Sequence, residues 1–276
     1  MLSSFIITFR ESLEVALLLG IIFTYLNKTN QQKFNTVVYF GLVSGIIASI
    51  AGAWLFIKLA GGFSGRAEQL FEGITMLISA TLLTSMIFWM TKRKGITKKI
   101  EQQVEKHLQK SKRLGLFLLV SISVLREGIE TVIFLASSKF SSSDNNLLGA
   151  LLGLIAATGL GYSIFVGMKK INLKLFFTTT SIILLLFAAG FVGKGINELQ
   201  DAQVIPPIIS EIWNTNPSIT TEGTYPLLHE KGLLGSFLKQ LFGYNPTPSL
   251  LEVTIYITYL ATTSYLILNK KSESSQ

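Results

Sequence analysis

Two five-residue strings set ionisable side chains inside apolar sequence: Arg10-Glu11-Ser12-Leu13-Glu14 and Arg126-Glu127-Gly128-Ile129-Glu130, each reading R-E-x-x-E. At about 100° per helical residue, the arginine and the second glutamate lie roughly 40° apart, with the first glutamate about 60° beyond, so all three leave one third of the helix surface. That face cannot look at lipid. An ionised residue at the bilayer centre costs about 2.5–3.5 kcal/mol on insertion scales, so six would cost on the order of 15–20 kcal/mol unless paired or hydrated. This exceeds the stability of most domains, about 5–15 kcal/mol. Pairing each arginine with the glutamate four residues on, in the weaker Arg-before-Glu order, satisfies one carboxylate per motif and leaves the other. A cation site accounts for both.

Glu11, Glu14, Glu127 and Glu130 are therefore candidate metal ligands, with Arg10 and Arg126 as supporting charges. The chain has no cysteine, which excludes disulfides, thiolate nucleophiles, iron–sulfur clusters and c-type haem. Carboxylates without thiolate or membrane histidine form a hard-oxygen set, suited to Fe3+, Mn2+, Mg2+ or Ca2+ over Cu+ or Zn2+. Four glutamates against two arginines leave a net charge of about −2, which favours a multivalent cation and repels anions. Glu72, about a turn inside the third apolar block, is a further candidate as a relay ligand. Glu68 reads as an exposed helix-start residue favoured by the macrodipole. Lys194 and Glu198 read as an interfacial pair at i,i+4, and His229, beside Glu230, as an ordinary loop histidine in preference to an outer metal contact.

Elements long enough to hold these groups follow from composition. Charged residues are 14% of the 276 residues, against roughly 25% in soluble domains, and the mean hydropathy is +0.50. The bilayer is the expected solvent. Runs able to cross about 30 Å of hydrocarbon fall at 3–26, 37–58, 69–91, 114–138, 147–168, 174–196 and 250–269. The fold expected is an all-α polytopic membrane protein of seven transmembrane helices, a single transmembrane domain over 1–276. Its parts are a first three-helix repeat (1–91), a basic loop (92–113), a second repeat (114–196), an outer loop (197–249) and a seventh helix (250–269).

Positive charge assigns the sides. The segment after span three holds Lys92, Arg93, Lys94, Lys98, Lys99, Lys106, Lys110, Lys112 and Arg113, so it belongs in the cytoplasm. Alternation brings Lys28, Lys33, Lys169, Lys170, Lys174, Lys270 and Lys271 to the same side, which puts the N-terminus outside and the C-terminus inside the cell membrane. Glu68, Asp144, Glu198, Asp201, Glu211, Glu222 and Glu230 then make the outer side acidic. The net charge of +8 thus marks orientation and not nucleic-acid binding. The basic loop, with Glu101, Glu105 and His107 at helical spacing, reads as a solvated topology determinant or as an amphipathic helix on an anionic leaflet. In the outer loop, Pro206, Pro207 and Pro226 break up the chain before a short apolar stretch, Leu233 to Phe242, expected as an interfacial or re-entrant helix.

The two motifs sit at similar depth, about 17 Å below the outer end of span one for Glu14 and about 12 Å below that of span four for Glu130. Gly41 and Gly45 in span two match Gly149 and Gly153 in span five, small-residue pairs that permit close helix approach. With three spans per repeat, the second is inserted upside down relative to the first, the inverted three-plus-three arrangement that places a site at the midplane.

The two R-E-x-x-E helices, Leu70-Phe71-Glu72-Gly73 opening span three, Phe88-Trp89-Met90 closing it and Phe242-Gly243-Tyr244 before span seven together resemble the oxidase-dependent iron transporter family, in particular its bacterial iron permeases. The likeness covers nearly the whole chain. It implies a seven-helix permease that takes iron inward, with Glu11, Glu14, Glu127 and Glu130 handling the ion; Ser12 replaces the usual glycine of the first motif. It also implies an extracytoplasmic iron oxidase or iron-binding partner, and iron presented as Fe3+ formed by oxidation of Fe2+. Iron is substrate in this reading, and no resident cofactor or enzymatic activity is expected. The alternatives are a permease for Mn2+ or Mg2+, an intramembrane enzyme using paired carboxylates as acid and base, which lacks a nucleophile motif or HExxH, and a metal sensor.

Overall fold

A computed structural model describes residues 1–91, 96–109, 113–141, 146–165, 173–215, 229 and 232–273. Regular structure among them is entirely helical: α1 Leu2–Lys28, α2 Asn35–Ala60, α3 Arg66–Thr91, α4 Ile96–Gln109, α5 Arg113–Ser141, α6 Asn146–Phe165, α7 Leu173–Asp201, α8 Leu233–Phe242 and α9 Leu250–Glu273. Five segments are long and apolar enough to cross a membrane: Gln32–Ala60, Arg66–Phe88, Leu147–Phe165, Thr178–Asp201 and Leu250–Asn269. The protein is a multi-pass membrane protein. The other two expected spans, α1 with 27 residues and α5 with 29, have the length but carry the motif charges that lower their apolarity. Of the basic and acidic loop residues used for orientation, Lys92, Arg93, Lys94, Lys110, Lys112, Asp144, Lys169, Lys170, Glu222 and Glu230 lie outside the described residues, as does Pro226.

Helices that are neighbours in sequence are not the main packing partners. α1 packs chiefly on α6, α2 on α5, α3 on α7, and α9 on α7. Glycine sets the closest approaches. A Cβ at Gly45 would lie 2.7 Å from Val124 Cβ and 2.9 Å from Ser121 O; one at Gly153 would lie 2.6 Å from Phe5 O and 2.8 Å from Phe9 N. Both small-residue pairs thus let one backbone rest on another. Gly149 faces Met1, Gly153 faces Phe5 and Thr8, and Gly161 faces Ala16, so α1 and α6 run parallel. Gly41 facing Val120 and Gly45 facing Val124 make α2 and α5 parallel as well, whereas Gly73 meets Leu199 and Gly195 meets Leu77, which makes α3 and α7 antiparallel.

Two apolar clusters fill the interior. One joins Ile7, Met76, Leu83, Phe134, Leu184 and Phe187; the other joins Ile22, Leu26, Phe34, Val38, Leu116, Val120 and Val124. Val104 of α4 belongs to the second, with Ile100 one turn back packed on it, so the apolar face of α4 is spent on the ends of α1, α2 and α5. The short α8 appears over the residues expected and stops at Gly243, whose φ of +66° suits a residue without a Cβ. Gly243 also touches the backbone of Gly190 in α7. The segment before α8 lies along the approach to α9, with Ile212 N donating to Pro248 O at 3.0 Å and Thr215 N to Pro246 O at 3.0 Å.

Candidate metal site

Each motif lies in an unbroken α-helix, so its charges share a face as the spacing requires. α5 runs on to Ser141, beyond the end expected for it, and Glu14 and Glu130 come to about 18 and 17 Å from the N-terminus of α1 and the C-terminus of α5. From opposite helices, an oxygen each of Glu11, Glu127 and Glu130 lies within 4.8 Å of the other two. Glu14 is close enough to Glu11 and Glu127 to repel both.

The arginines organise this cluster differently. Arg10 is fully buried; its Nη1 donates to Glu11 Oε1 at 2.8 Å, and its Nη2 lies 2.9 Å from Glu14 Oε1. The same Nη1 touches Met86 Sδ of α3. Arg126 Nε donates to Glu130 Oε1 at 2.8 Å, but the Arg126 side chain is 54% exposed. It opens on a cleft lined with Leu82, Ser85, Met86 and Glu130. Gly128, inside the second motif, presses against the Ser49 side chain of α2, so close that a Cβ there would overlap it.

Two oxygens carry the chemistry. Glu11 Oε2 and Glu127 Oε2 are buried, and among the described residues no donor from outside the carboxylate cluster reaches them, while the Glu11 and Glu127 carboxyls lie within hydrogen-bond reach of each other. A carboxylate oxygen left without a donor in a low-dielectric interior is costly, and a cation removes the cost for several such oxygens at once. Oxygen ligands 2.0–2.6 Å from Mg2+ or Ca2+ stand up to roughly 4–5 Å apart across the ion, close to the separation of these three carboxylates. The set is all oxygen and suits a hard multivalent ion.

Glu72 is not in this cluster. It is partly exposed near Glu68, Glu198 and Lys194, and stands 14 residues, about 21 Å along α3, before the Met86 that touches Arg10. The expected Lys194–Glu198 pair forms at 3.1 Å. His229 is buried, but the adjacent Glu230 lies outside the described residues. Sequence reasoning missed two residues. Met86 approaches the motif through tertiary packing alone. Glu252, buried at the start of α9, accepts from Asn245 Nδ2 at 2.9 Å, and its signal was an acidic residue inside a span.

Comparison with known proteins finds relatives along nearly the whole chain. The chain is 33% identical over 260 residues to the ferrous iron permease EfeU of Yersinia pestis, covering 93% of this chain and 89% of that protein. It is likewise 33% identical over 263 residues to the ferrous iron permease EfeU of Escherichia coli O6:K15:H31, covering 93% and 91%. These relatives are named as permeases and not as enzymes. No solved structure matches. The description of the iron permease FTR1 family fits residues 1–271, and the chain belongs to that family.

Proposed function

We propose that the protein carries iron inward across the cytoplasmic membrane, with Glu11, Glu14, Glu127 and Glu130 exchanging for the ion's water near the midplane. The observation that carries this reading is the convergence of three carboxylates from two R-E-x-x-E helices, two of them with donor-free buried oxygens. Seven crossings are part of the proposal, with α1 and α5 spanning because their charges face each other and not lipid. The inverted repeat draws support from the packing: exchanging α1 with α5, α2 with α6 and α3 with α7 turns the α1–α6 contact into α5–α2 and returns α3–α7 to itself.

With the N-terminus outside, Arg10 stands on the outer flank of its glutamates and Arg126 on the inner flank of its own. One is sealed and the other half exposed, the inequivalence expected of a site open to the cytoplasm. When the ion leaves, Arg126 takes over Glu130. When the halves rock, Arg10 is the arginine uncovered. Glu72 is proposed as an outer relay and not as a midplane ligand. The hard-oxygen set and its charge of about −2 suit Fe3+ as they suit other hard multivalent ions, and the family favours iron among them. The ferrous iron in the relatives' names is compatible with this if an extracytoplasmic oxidase supplies the higher valence.

Radio-iron uptake by Glu14→Gln and Glu130→Gln proteins that reach the membrane normally tests the site, and wild-type rates in both would reject it. Undiminished uptake of Fe2+ under ascorbate and without oxygen would reject the Fe3+ part. The second reading, a permease for Mn2+ or Mg2+, rests on the same hard-oxygen set and predicts that these ions, not iron, saturate transport.

A further inference from the structure

Glu11 is the third member of a line of buried oxygens on α1. Ser4, Thr8 and Glu11 stand at i, i+4 and i+7, within about 60° of one another around the helix. Ser4 is 0% exposed and Thr8 7%. Ser4 Oγ, Thr8 Oγ1 and Glu11 Oε2 are all buried without a hydrogen-bond partner among the described residues. The ordinary fate of a helix-borne hydroxyl in this protein is a bond to the carbonyl four residues back, as at Ser49 (2.8 Å), Thr81 (2.8 Å), Thr131 (2.7 Å) and Thr158 (2.8 Å). Thr8, with Ser4 a turn before it, does not take that partner.

The corresponding line on α5 is apolar. Counting back from Glu127 as from Glu11, the equivalents of Ser4 and Thr8 are Val120 and Val124, packed into the second apolar cluster. Both lines meet a glycine pair in the same way, Thr8 against Gly153 and Val124 against Gly45. At position 8 the surroundings are thus alike and valine fits them, so shape does not demand a hydroxyl there, whereas Gly149 faces Met1 and Phe5 and not Ser4. Nearby hydroxyls that do serve as helix-to-helix bonds are recognisable as such: Ser3 Oγ and Ser138 Oγ are 2.9 Å apart, and Ser79 Oγ and Ser137 Oγ 2.7 Å. Ser4 and Thr8 make no such bond. An unpartnered hydroxyl in a membrane interior costs free energy that a valine or alanine would not.

We propose that Ser4 and Thr8 form a hydroxyl ladder on which a partly dehydrated metal cation is held on its way between the outer surface and Glu11. The proposal rests on the permease reading and on the outer placement of the α1 N-terminus. Ser4 and Thr8 would supply single neutral oxygens at about 10 and 5 Å from the level of Glu11, steps over which an ion exchanges water gradually. The ladder is closed in this structure, in keeping with the sealed Arg10 beside it. Its absence from α5 assigns it to one leg of the path only.

The test compares Ser4→Ala, Thr8→Val, Thr8→Ser and wild type as full-length protein in liposomes. Radio-iron is supplied in separate runs as Fe2+ under ascorbate and as Fe3+ citrate, and thermal unfolding of each variant is recorded in detergent. Thr8→Val should slow uptake roughly tenfold, the loss of one oxygen contact to a charged partner, while its melting temperature stays level or rises. Thr8→Ser should keep near wild-type uptake, and Ser4→Ala, the mildest change in volume, should slow it without loss of stability. Wild-type uptake in both Thr8→Val and Ser4→Ala would overturn the ladder. So would Thr8→Ser as slow as Thr8→Val, or slow uptake that follows a fall in stability, since these are the marks of packing. Wild-type vesicles that move no iron overturn the permease reading itself and this inference with it, which separates the two failures.

Discussion

Arg10→Met removes a charge while nearly keeping length and volume, and the structure makes its consequence large. The guanidinium has no exposed surface and lies 2.8 Å from Glu11 Oε1 and 2.9 Å from Glu14 Oε1. Removing one partner of a buried ion pair costs about 3–5 kcal/mol, because the other partner stays buried and uncompensated. For a chain of this size that is a fall of roughly 6–20 °C in melting temperature of the metal-free protein. Arg126→Met is the internal comparison. Its side chain is 54% exposed, so its bond to Glu130 is screened and worth about 0–1 kcal/mol. A bound cation supplies the charge that Arg10→Met removes, so iron should raise the melting temperature of Arg10→Met by more than it raises that of wild type, through ordinary linkage. The assay is thermal unfolding in detergent, with chelator and with a series of iron concentrations. Equal losses in the two arginine variants, or the same iron-induced shift in Arg10→Met and wild type, would refute the inequivalence of the arginines as a feature of the molecule.

Glu11→Gln and Glu127→Gln each remove a carboxylate bearing a donor-free buried oxygen, so each should weaken iron binding, read as a smaller iron-induced thermal shift, whereas Glu72→Gln should leave that shift intact and lower only uptake. Gly45→Leu, which must displace Val124 and the Ser121 carbonyl, should cost about 1–3 kcal/mol or more in unfolding assays. Gly159→Ala, with open space around it, should be neutral or stabilising by up to about 1 kcal/mol. Val104→Asp puts a charge into the cluster of Leu26, Val38 and Leu116 and should detach α4, measured as faster proteolysis between α3 and α5.

Much of this protein is decided by local sequence. Apolar runs mark the long helices, and among the described residues the structure begins and ends these helices within several residues of those runs, five of them long and apolar enough to cross a membrane. The short α8 was legible too, from a ten-residue apolar stretch closed by Gly243. The two R-E-x-x-E strings declared their faces through helical spacing, and their type, all carboxylate and no thiolate, declared a hard cation.

Tertiary structure alone decided the rest. Nothing in the order of the helices says that α1 lies on α6 and α2 on α5, yet those pairings turn Glu11 and Glu127 toward each other. Identical local spacing left one arginine sealed and the other open, because burial depends on what a neighbouring helix covers and not on periodicity. Glu72 was already set apart in sequence by its place a turn inside the third block, and the packing of α3 adds that Met86, about 21 Å further on, is the residue of that helix that reaches Arg10. The amphipathic α4 had two surfaces available for its apolar face, leaflet or bundle, and only the packing of Val104 chose between them.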